Sequence, residues 1–340
     1  MSVKLSYIIP AYNAASYIQK TLDGVFALPL TLDELEVIVV DDCSTDNTLD
    51  VLLEMQKKHL NLVVLHQESN YRQGAARNRG INIAKGEYIA FCDADDEVVA
   101  DGVMTALRVV EKKHADICYF DFEYEKLNGE WQLFEIPKEI RKKVLSASDY
   151  LNNYYTCYYN APWRNLYKTD FLRQTGIKFV EGVRWEDCDW TVKVYAQAKD
   201  IQFVDGIGYR YAWNASATSK QTDAQAMVEQ LKAGIRLIIL ADEVRPSLPG
   251  LSKVLSDEAK SRYIVQNIRL RNLTKYRISD IHLMYSKMTI EDWNVMSTLN
   301  LPRWERIVVR YNALTLLILS VACLVAAIGR KFIEFKRKII

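Results

Sequence analysis

The chain has 340 residues, 49% of them hydrophobic and 26% charged, with a formal net charge of +1. That is ample apolar material for two domains, or for one large domain with appendages, and the neutral balance argues against a nucleic-acid partner. The six cysteines (Cys43, Cys92, Cys118, Cys157, Cys188 and Cys323) contain no C-x-x-C and the four histidines are scattered, which argues against a zinc site or disulfide framework and fits a reducing compartment.

Lys4 leads straight into an apolar run, Leu5–Ile9, that reads as a buried strand rather than a signal peptide. Pro10-Ala11-Tyr12-Asn13 breaks it, and helical spacing follows through Tyr17, Ile18, Leu22, Val25 and Phe26. Glu36–Val40 is a second strand, ending in Asp41-Asp42-Cys43-Ser44-Thr45-Asp46 and followed by a helix that buries Leu49, Leu52, Leu53 and Met55. Leu62–Leu65 is a third strand, Asn70 to Gly74 a polar loop, and Ala75–Lys85 a helix with Ala76, Gly80, Ile83 and Ala84 along one side. Alternation at this spacing predicts an α/β fold with a parallel sheet covered on both faces.

The fourth strand carries the strongest chemical signal. Gly86–Glu97 reads GEYIAFCDADDE, so Tyr88–Phe91 runs directly into Asp93, Asp95 and Asp96. Three carboxylates within four residues repel one another, and a hard divalent cation relieves that cost. Mg²⁺ or Mn²⁺ usually takes one or two oxygens from protein and the rest from water and phosphates. An open α/β sheet binds ligands outside the carboxyl ends of its strands, so Pro10–Asn13, Asp41–Asp46 and Asp93–Asp96 are expected to line one rim. Neither G-x-G-x-x-G after the first strand nor G-x-x-x-x-G-K-[ST] anywhere is present, which argues against a dinucleotide dehydrogenase and a P-loop enzyme.

Four motifs in order resemble the family-2 glycosyltransferases of the GT-A fold: Tyr7–Asn13, Val40–Asp46, the Gly74-Ala-Ala-Arg-Asn-Arg-Gly80 helix and Phe91–Asp96. The resemblance implies a Rossmann-like mixed sheet flanked by helices, plus a C-terminal helical extension. It also implies that Pro10, Ala11, Tyr12 and Asp42 surround the base of a nucleotide-sugar, that Asp93 faces ribose and sugar, and that Asp95 ligates Mg²⁺ or Mn²⁺ on the diphosphate. Arg77 is expected to close over the nucleotide side, and Asp41 to be an inner structural carboxylate. Gly74 and Gly80 are expected to serve close backbone packing.

Beyond the rim, Val99–Lys113 reads as a helix, Asp116–Tyr124 as a strand and Trp131–Ile136 as its antiparallel partner. Ser146–Tyr159 and Ala161–Tyr167 are rich in aromatics that serve either as core or as surfaces for sugar rings. Gly182–Trp190 (GVRWEDCDW) holds a second acidic cluster at the start of a helix, where the helix dipole alone favours carboxylates. By the family resemblance Asp187 matches the general base that deprotonates an acceptor hydroxyl. Trp185 then forms a stacking wall, and Glu186 either holds the acceptor or caps the helix. Ile201–Val204 and Tyr209–Trp213 read as a strand pair. Asn214–Lys220 occupies the place of a basic loop over the diphosphate, although the usual R-x-G-S pattern is degraded here.

From Ala224 to about Leu299 the chain reads as helical with solvated basic faces. Tyr311–Gly329 is uncharged and lies between Arg303, Arg306, Arg310 and Arg330, Lys331, Lys336, Arg337, Lys338. That is near the lower limit of a bilayer span, about 17–25 residues, and a span and an in-plane anchor both remain open. The expectation is therefore a metal-dependent inverting glycosyltransferase on the cytoplasmic face of the cell membrane. It would move sugar from a nucleotide-diphosphate donor, with UDP-sugars the family's commonest, to a glycan or lipid-linked acceptor. Residues 1–97 are expected to bind the donor and 98–221 the acceptor, with a helical extension at 222–302 and a membrane-associating segment at 303–340. The competing readings are an inert scaffold of the same fold and a sugar-nucleotide pyrophosphorylase. The latter would need a glycine-rich basic loop that Pro10–Asn13 does not supply.

Overall fold

The computed structural model describes residues 3–141, 145–156, 161–214, 223–271 and 288–296. They divide into two compact units, residues 1–217 and 218–340. The first unit begins with β1 (Leu5–Ala11), α1 (Ile18–Phe26), β2 (Leu35–Asp41), α2 (Thr48–Lys58), β3 (Leu62–His66), α3 (Arg72–Ile83) and β4 (Tyr88–Phe91). All seven residues of β2 are buried, as expected of a parallel strand covered on both faces.

The remainder of this unit holds β5 (Glu97–Val98), α4 (Ala100–Lys113), β6 (Ile117–Glu125), β7 (Trp131–Phe134), α5 (Lys138–Arg141) and α6 (Ala147–Asn153). A 3₁₀ turn at Pro162–Arg164 precedes β8 (Asn165–Lys168), α7 (Thr169–Thr175), α8 (Asp187–Gln197) and β9 (Ile201–Tyr211). The sheet runs β3-β2-β1-β4-β8-β6-β9-β5, with β7 also paired to β6. β3, β2, β1 and β4 are parallel, β8 is antiparallel to both β4 and β6, and β9 runs parallel to β6. The mixed sheet flanked by helices is the fold class expected, and β7 is the antiparallel partner expected for β6.

Leu53, expected on the buried face of α2, is exposed, and one expectation about the strands fails. Ile201–Val204 and Tyr209–Trp213 are not two paired strands, because β9 is continuous and pairs with β6 through register shifts between Tyr119 and Phe122. The glycines between them signal close approach and a bulge, not a hairpin. Gly206 adopts φ +110°, and a Cβ on Gly102 of α4 would stand 2.4 Å from the Gly208 nitrogen. α4 therefore presses against the bulged strand. The tyrosines of the second half are largely core: Tyr119, Tyr150 and Tyr195 are buried and their rings meet Phe203 and one another.

The second unit, among described residues, consists of α9 (Ala224–Val244), α10 (Pro249–Arg271) and α11 (Ile290–Met296), in keeping with its helical reading. Leu231, Ile238 and Ala241 of α9 and Leu251, Leu255 and Ala259 of α10 are buried. No helix among the described residues is long and apolar enough to cross a membrane. Tyr311–Gly329 and residues 215–220 lie outside the described residues.

Candidate active site

β2, β1 and β4 are parallel neighbours, so their carboxyl ends open on one edge, as the sequence predicts. Pro10 and Ala11 finish β1, and Tyr12 stands half exposed beyond them. Asn13 takes a left-handed φ of +50°, which its short polar side chain tolerates. Its backbone N–H donates to Ser44 Oγ at 2.9 Å, and its Oδ1 accepts from the Thr45 N–H at 2.8 Å, stitching the first two strand ends together.

The adjacent carboxylates at the end of β2 point to different partners. Asp41 is wholly buried, with Oδ2 2.7 Å from His66 Nδ1, which is the inner position expected of it. Asp42 accepts from Gln67 Nε2 at 2.6 Å and from the Tyr71 N–H at 2.7 Å. Burial pushes the Asp42 carboxyl above its ordinary value, against the pull of those hydrogen bonds.

At the end of β4 three aspartates have three different environments. Asp93 is about a third exposed (31%) and accepts from Arg77 Nη2 at 2.6 Å. Asp95 is half-buried, and its Oδ2 accepts from Asn214 Nδ2 at 2.6 Å. Asp96 turns inward. Its Oδ2 accepts from the Tyr209 hydroxyl at 2.6 Å and its Oδ1 from the Ala212 N–H at 2.8 Å. Burial, with Asp93 and Asp95 alongside, drives the Asp96 carboxyl far above its usual range.

The helix α3 connects this turn to the second acidic cluster. Arg77 is buried, and its other terminal nitrogen, Nη1, pairs with Glu186 Oε1. Its guanidinium also lies over the Phe179 ring, 5.4 Å from the centroid, and that ring stacks on Trp190 of α8 at 3.9 Å. Burial opposes the charge on Arg77, but Asp93, Glu186 and Asp187 overcome it and hold the guanidinium above its usual range. The next residue, Asn78, exchanges hydrogen bonds with the Phe179 backbone and donates to Glu181. The glycines act as their spacing suggests. A Cβ on Gly74 would lie 2.5 Å from the Val180 carbonyl oxygen, and one on Gly80 would lie 2.4 Å from Ile8 Cγ2.

Glu186 stands at the N-cap of α8, but its side chain caps nothing. It is fully buried, and its Oε2 has no hydrogen-bond partner among the described residues. Burial raises its carboxyl to about 7, against the pull of Arg77, with Asp187 and Asp93 adding to the rise. Asp187 opens the helix half-buried, and Trp185 before it adopts a left-handed φ of +55°. The structure thus brings Asp93, Arg77, Glu186 and Asp187 into one cluster.

The donor set suits a small hard cation. Asp93 and Asp95 offer carboxylate oxygens at the rim, and no three His, Cys, Asp or Glu side chains among the described residues form a cage by themselves. Mg²⁺ and Mn²⁺ match such a site because they complete their shells with water and phosphate oxygens. Sequence reasoning passed over Tyr209 and the side chain of Asn214, each bonded to an aspartate of this turn from far along the chain. No local pattern marks either one.

A parallel N-terminal half joined to a mixed second half, with acidic turns at the end of β4 and the start of α8, is the arrangement of the GT-A class. Residues 6–174 match the family described as Glycosyl transferase family 2, and the chain belongs to that family. It is 28% identical over 221 residues to the uncharacterized glycosyltransferase YibD of Escherichia coli strain K12, covering 64% of this chain and 63% of that protein. It is 30% identical over 211 residues to the poly(ribitol-phosphate) beta-glucosyltransferase of Bacillus spizizenii, covering 62% of this chain but 32% of that protein. The matched stretch therefore spans less than two thirds of either relative. Among solved structures, Staphylococcus aureus TarS 1-349 in complex with UDP-GlcNAc shares the fold, with a TM-score of 0.64 at 24% identity over 91% of this chain and 87% of that one. The Pyrobaculum calidifontis mannosyltransferase in complex with GDP-Man and Mn²⁺ aligns with a TM-score of 0.55 at 16% identity over 94% and 87% of the two chains.

Proposed function

We propose that this chain is an inverting, divalent-cation-dependent glycosyltransferase. It transfers a sugar from a nucleoside-diphosphate donor, a UDP-sugar first, to a hydroxyl of a glycan or lipid-linked acceptor. The observation that carries the reading is the buried Arg77, which bonds Asp93 at the donor edge and Glu186 beside the candidate base. Such a bridge fixes a carboxylate for the donor and a carboxylate for the acceptor on one rigid support, which is what in-line transfer between two substrates needs.

In this reading Pro10, Ala11, Tyr12 and Asp42 bound the base, and Asp93 faces the sugar. Asp95 would hold Mg²⁺ or Mn²⁺, whose chemistry there is to neutralise the departing diphosphate. Asp187 takes the proton of the acceptor hydroxyl as its oxygen attacks the anomeric carbon. Trp185 borders the acceptor, while Glu186, buried against Arg77, supports the segment that carries Asp187. One displacement with one base and no protein nucleophile inverts the anomeric centre. Attachment through Tyr311–Gly329 at the cytoplasmic face would hold the enzyme beside a lipid-linked acceptor.

A nucleotide-sugar turnover screen with Mn²⁺ and with Mg²⁺ identifies the donor, and two variants then test the roles. Asp187→Asn retains donor binding and loses transfer by roughly a hundredfold to ten-thousandfold. Asp95→Asn loses metal-dependent donor turnover with the fold intact. Collapse of donor affinity in Asp187→Asn moves that residue to the nucleotide site, and unchanged metal dependence in Asp95→Asn removes the metal assignment.

A further inference from the structure

The Asp93–Asp96 turn is held from a strand that supplies no residue to the reading above. Tyr209 lies in the body of β9, buried, with its ring stacked on Trp163 at 4.2 Å between centroids and only 6° between planes. The stack fixes where the hydroxyl sits. That hydroxyl donates to Asp96 Oδ2 at 2.6 Å and accepts from the backbone N–H of Asp93 at 3.0 Å. The second Asp96 oxygen accepts from Ala212 just beyond the same strand, and the Asp96 N–H donates to the Asp93 carbonyl oxygen at 3.2 Å. Thr21 of α1 places its Oγ1 2.8 Å from the carbonyl oxygens of Ala94 and Asp96, on the other flank. Asp93 and Asp95 thus project from a turn whose backbone and inner carboxylate share one tyrosine hydroxyl.

We infer that Tyr209 is a positioning residue for divalent-cation and diphosphate binding, acting through the Asp93–Asp96 turn and held in place by Trp163. This rests on the metal–nucleotide reading of the site. The physical reason is that a small cation demands near-ideal ligand geometry, while a turn bearing three carboxylates splays by mutual repulsion unless something fixes it. The two acceptors of Asp96 are both satisfied by β9 and the residue just beyond it, which keeps that carboxylate turned inward and leaves Asp93 and Asp95 outward. Trp163 thereby has a role other than stacking on sugar, since it is buried against the tyrosine.

Tyr209→Phe keeps the ring and its stack and removes only the hydroxyl. The test measures binding of Mn²⁺ in the presence of UDP, and separately of GDP, by electron paramagnetic resonance and calorimetry, with the thermal midpoint followed in parallel. The expected result is about tenfold weaker Mn²⁺ binding, the scale of one buried hydrogen bond lost, with the midpoint lowered by only a few degrees and acceptor KM unaltered. Asp96→Asn leaves Tyr209 in place but offers one acceptor oxygen to two donors, and it also weakens Mn²⁺ binding. The double variant is no weaker than the worse single one, because both act through the same bond.

Equal or tighter Mn²⁺ binding by Tyr209→Phe overturns the inference alone. So does Asp96→Asn protein that binds as wild type, which decides the matter even where Tyr209→Phe fails to fold. Wild-type protein that binds no Mn²⁺ with either nucleotide overturns the metal–nucleotide reading, and the inference falls with it.

Discussion

The two acidic turns of this protein solve one problem in different ways. Each needs carboxylates at the rim, and each sends one carboxylate inward as an anchor: Asp96 in the first, Glu186 in the second. Asp96 is held by neutral donors, the Tyr209 hydroxyl of β9 and the backbone N–H of Ala212 just beyond it. Glu186 is held by a cation, Arg77, which also holds Asp93 of the other turn. The first anchor is therefore self-contained, whereas the second is electrically shared. Loss of the shared cation strands two carboxylates at once, one of them with no access to water.

The sharpest way to break this comparison is to remove that cation. Arg77→Met leaves Glu186 buried and uncompensated, a loss on the order of 3–5 kcal/mol, read by urea denaturation. The double variant Arg77→Met with Glu186→Gln should recover part of that loss. A single variant within about 1 kcal/mol of wild type, which is below the usual cost of breaking a buried pair, would show that the shared anchor carries little stability.

A smaller effect separates the two ends of α3. At Gly80 an added methyl meets Ile8 in the core, so Gly80→Ala should cost about 1–3 kcal/mol, as overpacking does, while the folded fraction keeps its turnover. At Gly74 the added methyl meets the Val180 carbonyl oxygen and the Glu186 side chain, and the segment leading to Asp187 must shift. Gly74→Ala should then lower sugar transfer by up to about a hundredfold, the scale of a 1 Å misplacement. Equal turnover in both variants would dissolve the distinction.

The most gradual expected effect is a slope with pH. Glu186 titrates near 7 in the fold against an ordinary 4.5, because burial, Asp187 and Asp93 outweigh Arg77. The unfolded chain releases this proton first, so folding stability from Glu186 is full below about 4.5 and is lost as pH rises through about 7. Glu186→Gln should flatten the fall in stability across that window. An unchanged slope would assign the dependence to another group.

Much of the N-terminal half was legible because its signals are local. Apolar runs of strand length mark β1, β2 and β4, and the polar residues after them mark the rim, since parallel neighbours put their carboxyl ends together. The Gly74-Ala-Ala-Arg-Asn-Arg-Gly80 stretch placed Gly74, Arg77, Asn78 and Gly80 on one helix, where residues three and four apart share a face. The second half was less legible. Ile201–Val204 and Tyr209–Trp213 read as two strands, whereas Gly206 and Gly208 between them are the place where α4 presses on one. Nothing in the sequence around them distinguishes a turn from a close approach.

The sequence alone determined the alternation of strands and helices and the strand and helix ends that carry carboxylates. Those follow from periodicity and from charge, which act over a few residues. Only the tertiary structure decided which carboxylates face outward and which become anchors. Asp95 and Asp96 are adjacent and alike in type, and Glu186 and Asp187 nearly so, so no short-range rule separates them. Their fates are set by Tyr209, Ala212 and Arg77, which stand 109 to 116 residues away in sequence. Burying an ionisable group is tolerable only where such a partner has already been brought into place.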